Sequence, residues 1–145
     1  MWLGQKPAEN VTKHVLEYDF DFDFDLVGIS CHLRDYRLCW TVNQLLELNM
    51  ERAEEGANNG LAEFPVFRSY CQDTRTTVQL FVNRSDEGYL IPEQRQADYL
   101  LMIQDNARWE MDDLIEILRS NPHVLMAFEI DPASLKSREL LLINE

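Results

Sequence analysis

Between Val15 and Leu26 apolar and acidic side chains alternate without a break. Leu16, Tyr18, Phe20, Phe22, Phe24 and Leu26 form one series, and Glu17, Asp19, Asp21, Asp23 and Asp25 the other. Successive side chains of a β-strand point to opposite faces, so this period of two predicts a long strand. Its apolar face is expected to be sealed by helices and its acidic face left in water. Gly28 breaks the alternation, and a helix is expected after it. Ser30 or Asp35 would be the cap, with Leu38, Val42, Leu45, Leu46 and Asn49 at near-helical spacing. The polar stretch 51–63, with Gly56 and Gly60, reads as a fraying helix end followed by an exposed loop.

Further along, the strand-like runs 64–71 and 76–83 flank the polar "QDTR" and predict an antiparallel hairpin. The run 97–104, "ADYLLMIQ", is nearly continuous apolar, as in a strand covered on both faces. Met111, Leu114, Ile115 and Leu118 mark a helix, with Asn106 as its cap and Glu110, Asp112 and Asp113 near its positive end. "HVLMAFEI" reads as a strand, and "DPASLKSRE" as a short helix capped by Asp131 with Pro132 in its first turn. "LLLI" at 140–143 reads as a terminal apolar clamp. The order predicts an α+β fold, a two-layer sandwich with a mostly antiparallel sheet of about five strands, two main helices on one face and a short C-terminal helix. A single domain over 1–145 is expected, with 1–11 as a loosely held arm.

Charge narrows the partners. Against 13 Lys and Arg stand 26 Asp and Glu, a net charge of -13. Such a surface repels phosphate backbones, which argues against direct binding to nucleic acid, while a basic protein partner or self-association remains open. Cys31, Cys39 and Cys71 form no CxxC pair and read as reduced thiols. The N-terminus lacks a cationic start followed by an apolar run, and no apolar stretch approaches the roughly 20 residues that span a bilayer. A cytoplasmic protein without a membrane partner is expected.

The acid ladder invites a metal, but its spacing opposes one. Same-face residues of a strand stand about 6.5–7 Å apart, whereas calcium needs six to eight oxygens at about 2.3–2.6 Å. Read as a calcium loop from Asp19, the chain has Phe24 where glycine is required; from Asp21 it has Leu26, and from Asp23 it ends on Arg34. The ladder Glu17, Asp19, Asp21, Asp23 and Asp25 is therefore read as a solvated face or an acidic docking strip. Cys31, His32, Cys39 and Cys71 lack the paired spacing of a zinc site. No GxSxG, GxGxxG or GxxxxGK occurs, so no catalytic residue, metal or cofactor is assigned.

One segment carries a resemblance. "LIPEQRQADYLL", residues 90–101, is similar to the signature of the IPExxxVDY family, uncharacterised bacterial proteins known chiefly from the Bacteroidetes. Ile91, Pro92, Glu93, Asp98 and Tyr99 match, and Ala97 stands where Val is usual. The acidic-aromatic strand and "DYRLCWTVN" also resemble the family's N-terminal half. The resemblance implies a compact domain with no established catalytic residue. Read as architecture, Pro92 holds Ile91 extended, Glu93 caps a single turn, and Asp98 bonds a turn or pairs with Arg95. Read as a site, Glu93, Arg95, Asp98 and Tyr99 would line a pocket or interface with His32, Asp35 and Asn43. Two functions follow: a non-enzymatic interaction or adaptor domain with an acidic surface, or a small-molecule or enzyme site around the signature.

Overall fold

The computed structural model describes residues 24–142. The arm expected over 1–11, the strand expected over 15–23, and with it Glu17, Asp19, Asp21 and Asp23, lie outside the described residues. The first strand, β1, spans Phe24–Cys31, so the extended chain runs straight through Gly28. Gly28 sits opposite Phe128, and a Cβ there would stand 2.6 Å from Cζ of that ring. The glycine marks close packing in mid-strand, not the strand's end.

Helix α1 (Asp35–Leu46) follows, then β2 (Glu51–Arg52), β3 (Ala57–Asn58), β4 (Glu63–Phe64), β5 (Val66–Cys71) and β6 (Thr76–Val82). The remainder is β7 (Arg84–Ser85), β8 (Gly88–Tyr89), β9 (Tyr99–Gln104), helix α2 (Met111–Arg119) and β10 (Val124–Ile130). The fold is α+β. One sheet of six strands runs β10-β1-β9-β6-β5-β2 with every neighbouring pair antiparallel, and β3-β4 and β7-β8 form two small ribbons. The predicted hairpin is β5–β6, closed between Cys71 and Thr76.

The sixth strand, β2, lies where a fraying helix was expected. α1 stops because Glu47 turns into the left-handed region at φ 56, and Asn43 then holds the returning chain. Its Oδ1 accepts the Met50 N–H at 2.9 Å and its Nδ2 donates to the Met50 carbonyl at 3.2 Å. That clamp delivers Glu51 and Arg52 to the edge of β5. Neither Ser30 nor Asp35 caps α1. Arg34 is its boundary residue, and Asp35 accepts the neighbouring Tyr36 N–H, at 2.7 Å.

Both faces of the central strands are covered. On one, Val27, Ile29, Val78, Leu80, Leu101 and Ile103 pack under Leu38, Val42 and Leu46 of α1 and Leu114, Ile115 and Leu118 of α2. On the other, Phe24, Leu26, Phe81, Leu100 and Met102 meet Phe64, Leu90, Ile91, Ala97, Leu135 and Leu141 from the connections and the C-terminal segment. Each fully buried Leu or Ile contributes about 1.5–3 kcal/mol. The even-numbered members of the N-terminal ladder that are described, Phe24 and Leu26, therefore face away from the helices, contrary to expectation. A period of two separates the faces of a strand without saying which layer each will meet. Asp25, half-buried, also bonds within the chain: its carboxylate accepts from Asn106 Nδ2 at 2.9 Å.

The pattern Met111, Leu114, Ile115 and Leu118 forms α2 as predicted, but Glu110 is its N-terminal boundary. Asn106 instead ties the preceding turn, its Oδ1 accepting the N–H groups of Arg108 and Trp109. At the other end Arg119 donates through Nε and a terminal nitrogen, at 3.0 and 2.8 Å, to the carbonyl of Ala127. Ile29, opposite Ala127, gives its own carbonyl to Asp98 N–H on the β9 side. The Ala127 carbonyl therefore faces the outer edge of the sheet, where the arginine occupies it. Asp131 does cap the following turn, accepting from Ala133 N–H at 3.1 Å. The short C-terminal helix resolves into two 3-10 turns, Pro132–Ser134 and Arg138–Leu141.

Candidate functional site

The signature loop is organised by a residue outside it. Asn83 directly follows β6 with its side chain fully buried, and a buried amide must find partners for its oxygen and both hydrogens. Nδ2 donates to the carbonyls of Gln94 and Ala97, each at 2.9 Å, and Oδ1 accepts the Ile91 N–H at 2.7 Å. Its main chain bonds Asp98 and Leu90 as well. The loop is thereby folded around Asn83 so that Ile91 and Ala97 enter the core. Pro92 then starts a 3-10 turn, Pro92–Gln94.

Asp98 ties β1 to the strands beyond β9 with every polar group it has. Its N–H donates to the Ile29 carbonyl and its carbonyl accepts from Asn83 and Arg84. One carboxylate oxygen accepts the Cys31 N–H at 2.9 Å, and the other pairs with Arg84 at 3.2 Å. The expected partner, Arg95, lies elsewhere, its guanidinium 5.5 Å from the centre of the Tyr89 ring. Glu93 does not cap its own turn. Its carboxylate accepts the N–H groups of Lys136 and Ser137 at 2.6 and 2.8 Å and the Ser137 hydroxyl at 3.1 Å. Partial burial pushes its pKa up, and these bonds with its own N–H outweigh that and hold it below the usual Glu range.

Cys31, His32, Arg84, Ser85, Asp86, Asp98 and Tyr99 border an open cleft of about 330 Å³ at the end of β1. Of the residues named from the sequence, the cleft gathers His32, Asp98 and Tyr99. Glu93 and Arg95 serve other contacts, and Asn43 holds the α1 exit. Tyr99 donates its hydroxyl to the Leu33 carbonyl at 2.5 Å. Burial first, then the nearby charges of Asp35, Cys31 and Asp98, raise its pKa, so it stays a neutral donor. Burial likewise raises the thiols of Cys31 and Cys39, the latter to about 11 with the help of Asp35. A protonated thiol is a poor nucleophile, and the Asp98 carboxylate and Tyr99 hydroxyl at this cleft both bond main chain, at Cys31 and Leu33. Among the described residues no group of three or more His, Cys, Asp or Glu is arranged to hold a metal ion. No helix among them is long and apolar enough to cross a membrane.

The feature that sequence reading missed is on α1. Its inner face is fully packed, while Tyr36 and Trp40, one turn apart, are 59% and 63% exposed. Their spacing was visible, but an i, i+4 aromatic pair looks the same in sequence whether it faces core or water. Compared with models of known protein families and with curated proteins, the chain matches none.

Proposed function

We propose that this chain is a non-enzymatic, cytoplasmic interaction domain that docks a protein partner on the outer face of α1. The observation that carries the reading is the exposure of Tyr36 and Trp40 side by side on an otherwise well-packed helix. Tyr and Trp dominate the energetics of protein interfaces because they bury large area at small entropic cost. The signature segment supports the same reading, since Asp98 and Glu93 are engaged in holding backbone. We take the resemblance to the IPExxxVDY family as part of this proposal, its Ile91, Glu93 and Asp98 serving as a plug, a strap anchor and a strand tie. The test is site-specific photo-crosslinking from position 40 in cells, compared with exposed position 123 in the turn between α2 and β10. A partner crosslinked from 40, and lost on Tyr36→Ala with Trp40→Ala, supports it. Equal capture from both positions overturns it.

A second reading rests on the cleft beside His32, whose exposed imidazole, with the exposed Arg84, would receive a small acidic ligand. A ligand that shifts the His32 ring resonances and is lost on Arg84→Gln would favour it.

A further inference from the structure

Among the described residues the outer strands of the six-stranded sheet are β10 and β2, and a side chain meets each where a further strand would bond. At β2 the Ala53 N–H donates inward to the Val66 carbonyl, so by alternation Met50 and Arg52 turn their main-chain groups outward. Asn43 holds both groups of Met50, as a neighbouring strand would. β2 is two residues long and has little more edge to offer. β10 has more. It runs for seven residues, and its Leu125 and Met126 are 58% and 40% exposed. A long outer strand with exposed apolar side chains is a template for pairing with another strand.

Because the main-chain groups of Ala127 face the outer edge, those of Glu129 do too. Two copies of β10 laid antiparallel about a two-fold axis at Phe128 would set Ala127 of each opposite Glu129 of the other. Each such pair exchanges two N–H to carbonyl bonds, so the Ala127 carbonyls accept half of the bonds in the contact. In the same register Met126 falls opposite Ile130, and no like charges meet directly. Arg119 already fills the Ala127 carbonyl with two donors, at 3.0 and 2.8 Å. We infer that Arg119 is an edge guard: it keeps the chain from pairing with a second copy through β10, and its removal opens that contact. The guard acts on the sheet edge, apart from the docking face on α1, and holds whether or not that face takes a partner.

The experiment follows the mass of the full chain by sedimentation velocity over a wide concentration range, with near-UV circular dichroism as the check on folding. Wild type is expected to stay at 17.1 kDa. Arg119→Met keeps an apolar stem and loses the donors, so it is expected to dimerise at least about tenfold more tightly, the two carbonyls being released for pairing. Adding Glu129→Pro removes an outward N–H at a position where an outer strand tolerates proline, and should return the variant to monomer. Arg119→Gln repeats the comparison with a shorter, polar side chain. A folded Arg119→Met that stays monomeric, or a dimer that survives Glu129→Pro, would overturn the inference. So would a wild-type dimer that Glu129→Pro dissolves, since the arginine would then block nothing. If neither Arg119 variant folds, the residue is a support of the sheet and the guard assignment fails.

Discussion

Gly28 and Phe128 face each other across β1 and β10, and the ring lies where a side chain on Gly28 would begin. An added Cβ would stand 2.6 Å from Cζ and 2.8 Å from Cε2 of Phe128, and 3.1 Å from Cδ1 of Ile130. The clash is with the ends of side chains, so the strand can survive it at a cost. Gly28→Ala is expected to destabilise by about 1–3 kcal/mol, the range for overpacking. Combining it with Phe128→Leu should recover part of that loss in denaturant melts. Additive losses in the double variant would show that the ring is not what excludes the methyl group.

Asn83 is expected to be the most sensitive polar position in the described chain. Asn83→Ala leaves the Ile91 N–H and two carbonyls without their partner, and a buried unsatisfied group costs about 1–3 kcal/mol. A loss of about 3 kcal/mol or more is expected by chemical denaturation, with hydrogen exchange rising first over 90–98. A change below about 1 kcal/mol would mean the loop holds its shape without the amide.

Glu93 gives the C-terminal strap a pH dependence of known sign. Its folded-state pKa lies below the ordinary value, so its contribution is present above the ordinary Glu pKa and is lost as pH falls through the lower, folded one. Acidification across that window should release residues 132–142 before the sheet melts, read as exchange of the Lys136 and Ser137 amides. Glu93→Gln should flatten that response. An unchanged pH profile in the variant would place the titration elsewhere.

The three thiols should differ in reactivity. Cys71 is partly exposed, and hydrogen bonds from Thr74 lower its pKa, whereas burial raises Cys31 and Cys39. Alkylation by iodoacetamide at neutral pH, followed by peptide mass spectrometry, should modify Cys71 at least tenfold faster than the other two. Comparable rates would contradict the burial of β1 and α1.

Much of the framework was legible because local patterns repeat over several residues. Apolar spacing at 111–118 produced α2, the two-sided apolar run at 99–104 produced β9, and polar "QDTR" between two strand-like runs produced the β5–β6 hairpin. Asp131 and Pro132 specified their turn within a few residues. The candidate site was less legible. Glu93, Asp98 and Tyr99 were singled out, but their partners Ser137, Cys31, Arg84 and Leu33 lie far away along the chain.

The sequence by itself determined the class of the fold, the order of most of its elements and the net charge of -13, since these depend on composition and on periods of two or 3.6 residues. Only the tertiary structure decided that Gly28 belongs inside a strand, that Phe24 and Leu26 face away from the helices, and that Asn83 organises the signature loop. It alone left Tyr36 and Trp40 in water. Each of those outcomes turns on which distant segment arrives to cover a face or accept a hydrogen bond, and no local pattern carries that information.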